Sequence, residues 1–132
     1  MKNLANCTPT EFLTQTVKLR GPFQAWLERT GIPEIRKRRP EGYDKMTSAE
    51  RDDALVEQAN ANMADILAAA IDKDPDGTLA VIALCNFTDP ADIDAHPMAE
   101  YLASILEMLN NAAVRSFFMY TLRPTARPFS KA

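Results

Sequence analysis

The stretch "TLAVIALCNF", Thr78 to Phe87, decides the fold. A short apolar run of this kind suits a buried strand as well as a buried helix, because periodicity alone does not separate the two. Nothing else in the chain offers a strand to pair with it, and its Ala and Leu content fits a helix covered on most sides. Read as a central helix, it makes the protein all-α.

Immediately upstream, "DKDPDG" (Asp72 to Gly77) opens like a calcium loop, with Asp72, Asp74 and Asp76 alternating before a glycine. An EF-hand starting at Asp72 also needs an oxygen ligand near its ninth position and a bidentate glutamate at its twelfth, where this chain has Ala80 and Ala83. No specific calcium binding is therefore expected. The segment reads instead as a tight turn between antiparallel helices, with Lys73 to Asp76 ending one helix and Asp76 capping the next.

Before that turn lies the strongest helical signal in the chain. Thr47-x-x-Glu50 is a capping box, acidic residues fill the first turns, and Leu55, Ala59, Met63, Ile66, Leu67, Ala70 and Ile71 recur at three- and four-residue spacing. The pattern predicts a long amphipathic helix over 48–73 with this stripe buried. Ile66→Ala or Leu67→Ala should then cost about 2–5 kcal/mol, against less than about 1 kcal/mol for changes at Asp52 or Asp53.

Nearer the N-terminus, Thr8-Pro9-Thr10-Glu11 marks a second helix start, leading to a helix that ends near Arg20 with Phe12, Leu13, Thr16 and Val17 on one face. Gly21-Pro22 is read as a break, followed by a short helix that buries Phe23, Trp26 and Leu27 and ends at Gly31 and Pro33. Trp26 reads as a core anchor. "IRKRRPEGYDKM" follows as a loop. Beyond the central helix, Asp89-Pro90 starts a single helical turn and His96-Pro97 resets the direction. A stripe of Met98, Tyr101, Leu102, Ile105, Met108 and Leu109 marks another helix, and Val114, Phe117, Phe118 and Leu122 mark the last. The expected architecture is a compact bundle of about six helices forming one domain over 1–122. The Pro-containing end, 123–132, is read as a flexible tail.

At 132 residues, 46% hydrophobic and 25% charged, the chain has enough apolar material for a single core. No apolar run is long enough to span a membrane, and the N-terminus lacks the apolar segment of a secretory signal, so a cytoplasmic, non-secreted protein is expected. Cys7 and Cys85 carry no metal-ligand or redox spacing, and Cys85, inside the apolar run, reads as a structural thiol. The net charge of −3 hides a sorting along the chain. Residues 1–40 carry eight Lys/Arg against three Asp/Glu, residues 41–110 three against fifteen, and residues 111–132 four against none. Basic ends around an acidic middle suit pairing with the middle, with a second copy or with an outside partner.

Catalytic chemistry is not signalled. The single histidine, His96, lacks a second histidine or a placed cysteine for zinc, and no nucleophile turn or phosphate-cradling glycine motif occurs. No enzyme activity, cofactor or metal is expected. The tetrad Arg36, Lys37, Arg38 and Arg39 offers phosphate contacts, but without interleaved aromatics in an acidic protein it is a weak nucleic-acid signal.

"MKNLANCTPTEFLTQTVKLR", "IRKRRPE" and "FTDPADIDAHPMAEYLASILEMLN" resemble small helical proteins encoded in the tail modules of siphovirus-type phages and prophages of gut bacteria. These look like tail assembly chaperones. The resemblance covers the whole chain and rests on helix caps and core positions. It implies a non-enzymatic protein that binds the tape-measure protein and helps recruit tail-tube subunits during tail morphogenesis, and the charge blocks and the proline-rich tail fit a protein that self-associates or wraps its partner. The family supplies no catalytic or binding residue to carry over. From the charge sorting, Arg36, Lys37, Arg38, Arg39, Arg123 and Arg127 are the candidate partner-binding residues. The alternative is a small helical regulatory or nucleic-acid-binding module using Arg36 to Arg39.

Overall fold

The computed structural model describes residues 1–120. Over that span the chain is all-α, with six α-helices: α1 (Pro9–Thr30), α2 (Ile32–Arg36), α3 (Ser48–Lys73), α4 (Pro75–Cys85), α5 (Met98–Leu109) and α6 (Ala112–Tyr120). Two 3-10 turns, Tyr43–Lys45 and Pro90–Ala95, complete it. The expected tail 123–132, with Leu122, Arg123 and Arg127, lies outside the described residues.

Both capping boxes form as their spacing dictates. Thr47 Oγ1 accepts from the Glu50 N–H at 3.2 Å, while the Thr47 N–H donates to Glu50 Oε1 at 2.9 Å. Thr8 and Glu11 make the same reciprocal pair at 3.2 and 2.9 Å. Lys2 adds an ion pair to Glu11, and this contact together with the Thr8 N–H holds the Glu11 carboxyl below the usual carboxylate range. Thr47→Ala removes the acceptor for the Glu50 N–H. It is expected to lower stability by about 1 kcal/mol, measurable by urea titration, whereas no loss would mean that the end of α3 is frayed in solution.

The break expected at Gly21-Pro22 does not occur, and α1 runs through Pro22. Phe12, Thr16, Leu19, Phe23, Trp26 and Thr30 follow at alternating four- and three-residue steps, so the buried face keeps its phase across the proline. Gly21 and Pro22 lie on the exposed side, as does Lys18, whose carbonyl loses its i+4 donor and is left to solvent. The face is also rotated from the expected one. Thr16 is buried as expected, but Leu13 and Val17 are exposed, and Gln15 and Leu19 are buried instead. Helix α1 stops where Gly31 adopts φ 71°, a left-handed conformation open to glycine, and α2 begins on the next residue.

Contacts group the chain into two compact units, Met1–Trp26 with Asp76–Ala132, and Leu27–Pro75. In the first, Leu4, Leu19, Val81, Cys85, Met108 and Val114 form the buried cluster, with Phe12, Phe23, Trp26, Phe117 and Phe118 packed against it. The rings interlock, with Phe12 edge-on to Phe117 at 4.8 Å and Phe23 against Phe118 at 5.3 Å. Trp26 is the expected anchor, its indole N–H donating to Thr78 Oγ1 at 2.8 Å. Helix α4, the stretch from which the fold was read, is covered all round: Val81, Ala83 and Cys85 are buried and Leu79, Ile82 and Leu84 half-buried. It ends with Phe87 in the left-handed region (φ 55°), where the Thr88 N–H closes back on the Ala83 carbonyl at 2.9 Å.

The N-terminal segment ahead of α1 is part of this unit. Asn3 is fully buried, and its Nδ2 donates to Ser104 Oγ at 2.6 Å and to Glu107 Oε1 at 2.7 Å.

The second unit has a thin apolar interior of Leu27, Ile32, Ala69 and Ala70. Here α2 packs on α3. The turn after α3 is tighter than expected, because α4 starts at Pro75 and Asp74, rather than Asp76, occupies the position between the helices. Asp74 is buried and pairs with Arg29 at 3.4 Å.

Candidate interaction surface

Of the stripe that periodicity marks on α3, Ala70 is buried and Leu55 and Ile66 are half-buried, while Ala59, Met63, Leu67 and Ile71 are exposed. Val56, Met63, Leu67 and Ile71 are between 53% and 66% exposed, while the buried residues of α3 are Asn62, Ala69 and Ala70. Helix α2 packs on α3, and the basic segment after α2 meets a polar arc of it. Arg38 pairs with Asp65 at 2.6 Å, Asn62 Nδ2 donates to the Arg38 carbonyl at 3.4 Å, and Gln58 in turn donates to Asn62 at 2.8 Å. Arg51 donates to the carbonyls of Tyr43 and Asp44 at 3.1 and 3.0 Å. Arg39 and Arg51 both lie over the Tyr43 ring, at 5.7 and 5.1 Å from its centroid. The polar arc is held to the loop, and the apolar arc is left over. Leu67→Ala is consequently no longer expected to show a core-sized cost.

Helix α5 repeats the arrangement in the other unit. It buries Tyr101, Ser104 and Met108 and leaves Met98, Leu102, Leu106 and Leu109 between 44% and 60% exposed. These four are spaced by four, four and three residues, a continuous stripe about 16 Å long at 1.5 Å per residue. The α3 stripe, Val56 to Ile71, extends about 22 Å by the same measure. Scattered exposed leucines are ordinary on a protein surface, but rows of them at helical period mark binding faces.

The candidate basic residues Arg36, Lys37, Arg38 and Arg39 are all exposed. Of the four, Arg36 makes no side-chain ion pair, hydrogen bond or ring contact among the described residues; Lys37 lies 3.9 Å from Glu34, and Arg38 and Arg39 are engaged as above. The tetrad is thus partly a fastening for α3, and Arg123 and Arg127 lie outside the described residues.

For chemistry the surface offers little. His96 Nδ1 sits 3.5 Å from Glu100 and the ring is edge-on to Tyr101 at 5.8 Å. Among the described residues no group of three or more His, Cys, Asp or Glu is placed to hold a metal ion, and no helix is long and apolar enough to cross a membrane. One open cleft of about 390 Å³ is lined by Met1, Glu100, Ala103, Ser104 and Glu107, and another of about 380 Å³ by Arg39, Pro40, Gly42, Tyr43, Asp44 and Lys45.

The two cysteines differ sharply. Burial pushes the Cys85 thiol up to about 12, whereas Cys7 is half-buried and its thiol is raised mainly by partial desolvation. At pH 8 an aromatic disulfide reagent is expected to modify one thiol, Cys7, in the native protein and the second only after denaturation. Two equivalents reacting together in the native state would show that Cys85 is accessible.

Of the outward rows, Met63, Leu67 and Ile71 on α3 and Met98, Leu102 and Leu109 on α5 stand in the stripes that periodicity marks, and Val56 and Leu106 do not. The spacing does not tell that they face outward, because it is the ordinary signature of a core face. Neither a protein-family model, nor a curated protein, nor a solved structure matches this chain.

Proposed function

We propose that this chain is a tail assembly chaperone, a non-enzymatic protein that binds a tape-measure protein in the bacterial cytoplasm and helps recruit tail-tube subunits while the tail is built. One observation supports the reading beyond the resemblance: the chain keeps two rows of large apolar side chains, on α3 and on α5, uncovered at helical spacing. A protein that keeps long apolar helices soluble needs such faces, since an amphipathic helix docks through side chains at i, i+3, i+4 and i+7. The basic residues Arg36 and Lys37 then contribute to the encounter rate, and the apolar rows supply the affinity.

The test is co-expression with the tape-measure protein of the same genetic element, followed by pull-down. Wild type is expected to recover it. Met63→Asp with Leu67→Asp, or Leu102→Asp with Leu106→Asp, is expected to reduce recovery at least tenfold, since each exchanges two apolar contacts for desolvated carboxylates. Raising the salt concentration should affect recovery less than either double substitution. If wild type recovers no tape-measure protein, the chaperone reading fails, and nucleic-acid retention with Arg36→Glu and Lys37→Glu as controls becomes the next measurement.

A further inference from the structure

We infer that the α3 stripe is a docking face for a basic amphipathic helix supplied by another protein. The inference rests on the reading of α3 as a binding face and adds the chemistry of what binds there. The apolar row of Val56, Met63, Leu67 and Ile71 is bordered along its first half by Asp52, Asp53 and Glu57, all exposed. None of these three carboxylates has an ion-pair partner among the described residues. Between Arg51 and Lys73 the helix contains no Lys or Arg at all. Arg51 is committed to the carbonyls of Tyr43 and Asp44, and Lys73 lies about a third of a turn off the row by the 3.6-residue period.

This border selects the occupant. A helix laid into the row brings its flanking residues beside Asp52, Asp53 and Glu57, where Lys or Arg is attracted and Asp or Glu repelled. A second α3 laid parallel sets carboxylates against carboxylates, and laid antiparallel it offers Asp52, Asp53 and Glu57 only Lys73, about a third of a turn off its row. An acidic helix is rejected for the same reason. What fits is a helix with an apolar row of about four turns and Lys or Arg on its shoulders.

The probes are two synthetic 18-residue helical peptides of identical Leu pattern, one with Lys and one with Glu at every polar position, titrated by fluorescence anisotropy into the full chain. The Lys peptide is expected to bind at least tenfold more tightly than the Glu peptide and to weaken as salt is raised. Asp53→Lys with Glu57→Lys should remove or invert that preference, and Met63→Asp with Leu67→Asp should reduce binding of the Lys peptide tenfold or more. Leu102→Asp with Leu106→Asp, on α5, should leave it unchanged. All these positions are exposed, so helicity and melting temperature serve as the check that each variant is folded. Equal affinity for both peptides, or indifference to the α3 substitutions, overturns the inference. So does a concentration-dependent oligomer of the wild type that the Met63, Leu67 pair makes monomeric, since the face is then covered by a second copy. The Lys peptide held through α3 by a chain that recovers no tape-measure protein would leave this inference standing and the chaperone reading refuted.

Discussion

Leu19→Ala is expected to destabilise the protein by about 2–5 kcal/mol, the range for a buried leucine cut to alanine. Leu19 is fully buried in the cluster with Leu4, Val81, Cys85, Met108 and Val114, so the missing methyl groups leave a void rather than a surface. The neighbouring rings, Phe12 and Phe23, are already held by Phe117 and Phe118 and have little freedom to collapse into it. Leu67→Ala is the control: at 56% exposed, it should change stability by less than about 1 kcal/mol. Urea unfolding of both variants gives the comparison. Equal costs at the two positions would mean that Leu67 is covered in solution, and the binding-face reading of α3 would lose its foundation.

Asn3→Ala is expected to cost about 2–4 kcal/mol, a large effect for a residue three places from the start of the chain. Asn3 donates to Ser104 and Glu107, its Oδ1 accepts from the Ala5 N–H at 2.7 Å, and its own N–H donates to Asn6 Oδ1 at 2.8 Å. Alanine strands the buried Ser104 hydroxyl and the Ala5 N–H together, and each unsatisfied group costs about 1–3 kcal/mol. Asn3→Asp should be worse than alanine, because it keeps the volume but turns two donors into an acceptor facing the Glu107 carboxylate. Thermal melts of the two variants test the order. If Asn3→Asp is as stable as wild type, the Ser104 and Glu107 contacts do not hold the N-terminal segment.

Local chemistry was legible in the sequence because it acts over one turn. Thr8 with Glu11 and Thr47 with Glu50 are spaced so that each side chain reaches the other's backbone, and no distant residue is needed to complete the box. The same holds for the absence of strands among the described residues and for α4 as a central helix, where alanines and leucines leave no polar side. The continuity of α1 is also present in the sequence, in the unbroken phase of Phe12, Leu19, Phe23 and Trp26, which outweighs the local effect of Pro22. A proline whose orphaned carbonyl reaches solvent costs less than the burial of the turn that follows it.

Which side of α3 and α5 is covered was decided only in the tertiary structure. On α3 the apolar residues occupy a broad arc, and the polar arc opposite, with Gln58, Asn62 and Asp65, looks from sequence like the solvated side. The segment from Arg36 to Lys45 arrives with a guanidinium and free carbonyls and binds that polar arc through Asp65 and Asn62, leaving Val56, Met63, Leu67 and Ile71 outside. Asn3 meets Ser104 and Glu107 across more than a hundred residues in the same way. A sequence displays the period of one surface; burial depends on the surface that comes to face it, and here that was set by hydrogen bonds between segments far apart in the chain.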